Sequence, residues 1–172
     1  KAGFGGGVGA VATPLMALTI SVTDAAAILL PLLIVADIFS VRHYYNIFDK
    51  RSLLYMIPGA VIGIALGALF FGYFDDNERI LKIGLGVLAL AFVAYQLGRS
   101  LLTGVMAKSR PSGTLGVIMG AAAGFTSTLA HAGGPPATIY LLPQKLPRHV
   151  FVGTNVIFFA TVNLVKLVPY SY

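Results

Sequence analysis

Six apolar runs divide the 172-residue chain, at positions 2–20, 24–45, 53–74, 80–97, 112–144 and 150–168. Inside each run the apolar residues cover every face of a helix, so neither the alternation of a half-buried strand nor the polar stripe of a soluble amphipathic helix is present. A helix needs about 20 largely apolar residues to cross the hydrocarbon of a bilayer. The second, third, fourth and sixth runs each fit one crossing. Helices are expected because lipid offers no partner to a backbone group, and only a helix satisfies every group within its own segment. The fifth run is too long for one simple span and contains Gly133-Gly134-Pro135-Pro136, which predicts a helix, a break and a second half-helix. Asp24, after Thr23, is a candidate cap for the second run. Pro31 is expected to kink that run, and Pro58 to sit in the first turns of the third.

Composition strengthens the membrane reading. Apolar residues make up 57% of the chain and charged residues 10%, against about 25% charged in an ordinary soluble domain. Twelve basic and six acidic side chains cannot cover a soluble fold of this size with polar surface. The mean hydropathy of +0.85 agrees. The expected fold class is therefore all-α, a polytopic integral membrane protein. With no cysteine, disulfides, thiolate metal sites and cysteine nucleophiles are excluded. No secretory signal precedes the first run. The chain opens on Lys1 without a methionine, and both ends are read as cut.

The net charge of +6 is distributed in short loop patches, not along one face, which argues against nucleic acid as a partner and for a lipid bilayer. Arg42, Lys50 and Arg51 lie between the second and third runs, and Arg99, Lys108 and Arg110 between the fourth and fifth. Asp75, Asp76 and Glu78 mark the loop between the third and fourth, with Arg79 and Lys82. Basic loops belong in the cytoplasm and the acidic one outside. Lys145 and Arg148, between the fifth and sixth runs, break this pattern if every run crosses once.

Glycine marks the candidate chemistry. Gly59, Gly63 and Gly67 form one stripe of the third run, the spacing of close helix packing. Gly3 to Gly9 and Gly124 to Pro136 form two glycine-rich stretches, each followed by another long apolar run. Aligning Gly6-Gly7 with Gly133-Gly134 gives an offset of about 127 residues, and a one-residue adjustment brings Asp37 opposite Asn163. Transporters are often built from such duplications. On this reading residues 1–110 form a first membrane repeat of four apolar segments. Residues 111–172 begin a second, a broken helix plus one span, and four spans per repeat would make the copies parallel. A glycine costs about 1 kcal/mol relative to alanine inside a plain helix, so clusters of it suit deliberate breaks. A broken helix presents amides and the positive end of its dipole to an anion, and two facing breaks could hold one small oxyanion.

The Gly-Gly-Gly-x-x-x-x-x-x-Pro-Leu pattern at Gly5 to Leu15 resembles the signature of the TauE/SafE family of sulfite and organosulfonate exporters. His131-Ala-Gly-Gly-Pro-Pro136, followed by Val152-Gly-Thr-Asn155 and Asn163-Leu-Val-Lys166, resembles that family's second repeat, with a glycine pair where the first motif has a triplet. The resemblance covers nearly the whole chain and about two-thirds of a usual family member. It implies a multi-pass protein of the bacterial inner membrane that moves small anions such as sulfite or sulfonates without ATP hydrolysis or a cofactor.

The candidate substrate-binding residues are Gly5, Gly6, Gly7, Thr13, Pro14, Ser127, Thr128, His131, Gly133, Gly134, Pro135, Thr154 and Asn155. Thr126 flanks the second motif. Asp37, Asn163 and Lys166 are candidates for coupling or gating. An intramembrane acid is by default functional, although Asp37 could pair with Arg42 at the interface. Lys166 could face an anion or snorkel to the interface. His131 could titrate near neutral pH or serve as a structural hydrogen-bonder.

Catalytic readings are weaker. Gly5 to Ala10 formally matches a dinucleotide fingerprint but lacks the preceding strand and the distant acid. His43, His131 and His149 have no carboxylate at metal-ligand spacing, and Ser127 lacks a nucleophile-elbow context. A membrane enzyme acting on a lipid phosphate would need paired acids where only Asp37 is present. A scaffold subunit without substrate is the other alternative, and a homo-oligomer is left open.

Overall fold

A computed structural model describes residues 12–13, 15–16, 18–70, 77–102 and 111–170. Among the described residues it contains six α-helices of eight or more residues and no strand. They are α1 (Val22–Tyr44), α2 (Lys50–Leu69), α3 (Glu78–Leu102), α4 (Gly113–Ala130), α5 (Gly134–Leu141) and α6 (Arg148–Tyr170), with one 3₁₀ turn at Leu142–Gln144. Stretches of α1, α2, α4 and α6 are long and apolar enough to cross a membrane. The fourth run forms α3, which is not among those four. Positions 84, 86 and 98 of α3 have nothing within 4 Å of an added Cβ.

Side-chain caps start α1, α2 and α4, the last with Ser112 Oγ accepting the Leu115 amide at 3.2 Å. Ser21 caps α1, its Oγ accepting the Asp24 amide at 3.0 Å. Asp24 is thus not the cap but an acid in the first turn, where the helix dipole favours it. Helix α1 continues through Pro31. Asp49 caps α2, accepting from the Ser52 amide at 2.8 Å and from the Ser52 hydroxyl at 2.6 Å. This polar cap starts α2 earlier than the apolar run does, so Pro58 lies in the helix interior, not in its first turns. Thr154 of α6 secures the same corner, since its Oγ accepts the Asp49 amide at 2.8 Å and donates to the Val150 carbonyl at 2.7 Å. Thr154→Val should therefore lower stability by about 1–2 kcal/mol by orphaning the Asp49 amide, read as a drop in melting temperature of the purified protein.

The centre of the bundle is the crossing of α2 and α4. A Cβ added at Gly59 would overlap the Val117 carbonyl, and one at Gly63 the Ala121 carbonyl. The fit is reciprocal: Gly120 faces the backbone of Met56, and Gly124 that of Ala60. Two backbones thus touch along two turns, the close approach that small residues permit within a membrane. Met56, Ala60, Ile64, Ala123, Tyr140, Phe158 and Val162 form the core around this crossing.

The fifth run forms a helix, a break at 131–133 and a second, shorter helix. It doubles back. Gly133 lies beside Ala123 and Ser127 near the end of α4, while the Tyr140 ring lies against Gly116 near its start. Helices α4 and α5 are therefore a hairpin whose tip is 131–133, and α5 returns toward the end from which α4 set out. Helix α4 alone is about 27 Å long at 1.5 Å per residue, so the break falls near one end of the bundle instead of halfway along it.

The hairpin alters the chain's direction from that point on. Because α4 and α5 together make no net crossing, α6 starts beside the start of α2, with Gly153 against Ile47 and Tyr44. Helices α1 and α6 consequently run antiparallel. The same geometry gathers Arg42, Lys50, Arg51, Lys145 and Arg148 at one end, which removes the conflict over the last basic loop.

Candidate functional site

The tip of the hairpin carries the most unusual polar cluster among the described residues. Helix α4 ends because His131 adopts a left-handed conformation, φ 51°, which is uncommon for a residue with a side chain. The His131 amide donates to the Ser127 carbonyl at 3.0 Å and the Ala132 amide to the Thr126 carbonyl at 3.2 Å, closing the helix end. The Thr126 hydroxyl ties the turn together, within reach of the Ala122 and Ala132 carbonyls at 2.8 and 3.2 Å.

Lys166 of α6 reaches this helix end with 0% of its surface exposed. Its ammonium donates to the Ser127 carbonyl and to the Ser127 Oγ, each at 3.0 Å, and lies 2.7 Å from His131 Nδ1. His131 Nε2 lies 2.8 Å from the Ala26 carbonyl of α1. A carbonyl only accepts, so Nε2 carries the proton, and Nδ1 offers its lone pair to the ammonium. A buried cation is thus held by a serine, a neutral imidazole and the negative end of α4, where carbonyl dipoles favour positive charge. This cluster joins α1, α4 and α6 at one point. Lys166 does not snorkel to the interface.

Gly133 and Gly134 open α5 beside this cluster. A Cβ at Gly133 would lie 2.7 Å from the Ala123 carbonyl and 3.1 Å from Ser127 Cβ, so Gly133 is required by packing and not by the approach of a ligand on that side. Pro135 and Pro136 have no amide hydrogen, and the Ala137 amide donates to the Gly133 carbonyl at 3.3 Å. The start of α5 therefore offers fewer free amides than a broken helix does in general. The positive charge at the break comes from Lys166.

A second buried polar contact lies about one turn from Lys166 along α6. Asn163 Nδ2 donates to Asp37 Oδ2 at 2.6 Å, linking α6 to α1, and Asp37 is only 4% exposed. The one-residue adjustment that set these two positions opposite each other in sequence thus pairs residues that touch. Arg42 and Asp37 line one groove between α1 and α6.

Other expected site residues lie elsewhere. Thr128 donates to the Gly124 carbonyl at 2.9 Å and packs against Gly67, serving the α2–α4 crossing. Thr154 serves the start of α2, as above. Asn155 is about 16 Å from Lys166 along α6 at 1.5 Å per residue. Its Nδ2 donates to the Phe151 carbonyl at 3.0 Å, and its buried Oδ1 has no partner. Thr13 is buried with an unpartnered Oγ. Gly5, Gly6, Gly7 and Pro14 lie outside the described residues. The Ala26 carbonyl, which orients His131, carried no sequence signal, because a backbone acceptor has no residue signature.

Against this geometry stands one family comparison. The family model described as sulfite exporter TauE/SafE matches residues 1–172. The chain belongs to the sulfite exporter TauE/SafE family. It is thus an all-α, multi-pass membrane protein of a transporter family, in accord with its four candidate spans. No curated protein and no solved structure matches the chain. A TauE/SafE assignment agrees with the resemblance drawn from Gly5 to Leu15 and from the two motifs after His131.

Proposed function

We infer that this chain belongs to a secondary transporter that exports small sulfur oxyanions, such as sulfite or organosulfonates, across the bacterial inner membrane, and that the anion binds at the α4–α5 hairpin tip. The observation that carries the site is the fully buried Lys166 ammonium resting on Ser127 and His131 at the end of α4. A buried charge in a membrane span is costly, and such residues typically mark an ion or substrate path. Without substrate, Lys166 is solvated by Ser127, His131 and the α4 dipole. An arriving oxyanion would take the place of one or more of these neutral partners, and the Ser127 hydroxyl would turn from acceptor to donor. The positive end of α5 and the Gly133 and Gly134 amides would add a weaker attraction.

Orientation follows from the same hairpin. The end that gathers Arg42, Lys50, Arg51, Lys145 and Arg148 is the cytoplasmic one by the distribution of basic loops, so the tip faces the outer half of the membrane. The antiparallel course of α1 and α6 and the Asp37–Asn163 contact between them support a duplication with inverted copies, a common transporter plan.

The test is flux in proteoliposomes of the complete protein, comparing sulfite, sulfonates and thiosulfate. Ser127→Ala removes one ammonium partner and the hydroxyl donor, and should lower flux of the preferred anion about tenfold, the loss of one charge-assisted bond. Wild-type protein that moves none of these anions would remove the transport reading and favour the scaffold.

A further inference from the structure

Helices α1 and α6, both candidate spans, touch through Asp37 and Asn163 but do not close on each other beside that contact. They leave a groove of about 370 Å³. Asp37 and Ala160 form its floor, 4% and 8% exposed, and the small Ala160 side chain keeps it open. Its walls are aliphatic: Ile34, Ile38, Val41 and Leu164. Ile38 and Leu164 are 63% and 58% exposed, so the groove opens outward from the two spans, toward the bilayer.

One end of this apolar groove is charged. Arg42 lies there, exposed, and among the described residues its guanidinium has no hydrogen-bond or ion-pair partner. Tyr44 and Tyr45 follow directly, and tyrosines gather where a span meets the headgroups. Arg42 is thus at headgroup level, and Ile34 lies about 12 Å deeper at 1.5 Å per residue. We propose that the groove binds one anionic phospholipid of the cytoplasmic leaflet, its phosphate on Arg42 and one acyl chain along Ile38 and Ile34. The leaflet follows from the basic end of the bundle, and the inference does not depend on which anion the protein moves.

Three observations carry it. First, the shape suits a chain and not a helix. The volume falls in the range of small-molecule sites, about 300–1,000 Å³. A helix is about 10–12 Å across and too thick to enter, which argues against a span of a second copy as the occupant. Secondly, the chemistry is divided as a lipid's is. Aliphatic walls run inward from a single unpaired cation at the mouth, and the one carboxylate on the floor is held by Asn163. Thirdly, the charge is complementary. A guanidinium offers a planar fork to phosphate oxygens, and basic pockets between spans on the cytoplasmic side suit anionic headgroups. Lys50, Arg51 and Arg148 lie at the same end and add attraction without lining the groove. A lipid seated there bridges α1 and α6 outside the Asp37–Asn163 contact, and by binding the folded state it should stabilise the bundle.

The experiment uses the complete protein, delipidated in a neutral detergent and offered phosphatidylglycerol or phosphatidylcholine with the same acyl chains. Native mass spectrometry counts the lipid retained, and melting temperature is read on the same samples. The wild type should retain phosphatidylglycerol about fivefold better than phosphatidylcholine and melt higher with it. Arg42→Gln should bring the two lipids close to equal. Arg148→Gln removes the same charge from the same end but outside the groove, and should keep the preference. Ala160→Leu fills the floor while leaving Arg42 in place, and should lower retention of both lipids. If Ala160→Leu does not fold, Ile38→Trp narrows the mouth at an exposed position and should do the same. An equal loss in Arg42→Gln and Arg148→Gln would mean diffuse attraction to a basic surface and overturns the site. So does a preference that survives Arg42→Gln, retention unaffected by either filling variant, or a dimer mass that carries no lipid. None of these readouts involves flux, so failure here leaves the transport reading untouched, and failure of transport leaves the lipid site standing.

Discussion

Replacing Gly63 with leucine should stop the bundle from closing. The Cβ alone would overlap the Ala121 carbonyl, and its neighbours are backbone atoms of α4 that cannot swing aside. Helix α4 would have to move outward, and Gly59, Gly120 and Gly124 would lose the fit they share with it. Overpacking a tight contact costs about 1–3 kcal/mol, and the loss of four coupled contacts places this variant at or beyond the upper end. Gly63→Leu should run as aggregate on size exclusion or melt far below the wild type. Gly84→Ala is the matched control. Nothing lies within 4 Å of its added Cβ, so better helix propensity should leave the protein unchanged or stabilise it by up to about 1 kcal/mol. Equal behaviour of the two variants would show that the glycine stripe does not hold α2 against α4.

The contrast between Gly63 and Gly133 shows what sequence spacing can reveal. Gly59, Gly63 and Gly67 recur every four residues, and such a stripe has one common physical use, so its role in static packing was legible. Gly133 was read as an opening for a ligand, yet it packs against Ala123 and Ser127. Glycine in a break and glycine in a crossing look alike in sequence, because both are simply positions without a side chain.

The break itself was legible from Gly133-Gly134-Pro135-Pro136, but its direction was not. Whether the chain after a break goes on or turns back depends on what it packs against, here Gly116 beneath the Tyr140 ring. That one turn decides the course of everything downstream. It brings Lys145 and Arg148 to the end that holds Arg42, and sets α1 and α6 antiparallel. The basic loop that seemed misplaced was therefore a sound signal of the hairpin, since charge in a short loop reports its side of the membrane whatever the span count suggests. Likewise Lys166, His131 and Ser127 were each singled out by residue type. Their meeting was not, because residues 127 and 166 are brought together only by the return of α6.

Lys166→Met is the substitution expected to separate a structural cap from a substrate site. The methionine fills most of the volume of the lysine stem, and replacing a buried charge by an apolar side chain of similar size is often close to neutral. The Ser127 Oγ and His131 Nδ1 would lose a donor, a cost of about 1–3 kcal/mol set against the relief of a desolvated ammonium. The folded protein should thus persist, with stability within about 2 kcal/mol of the wild type. Transport should not. Removing the positive charge leaves an anion facing serine, imidazole and the negative end of α4, so flux of the preferred oxyanion should fall about 100-fold or more, equivalent to about 2.7 kcal/mol. Lys166→Arg should recover only part of it, because a planar guanidinium cannot direct three donors to Ser127 O, Ser127 Oγ and His131 Nδ1 as an ammonium does. If Lys166 only caps α4, the order reverses: stability falls first, and flux per folded molecule stays near the wild-type value. Melting temperature and proteoliposome flux measured on the same preparations distinguish the two, and a stable Lys166→Met protein with wild-type flux would remove the anion site from the hairpin tip.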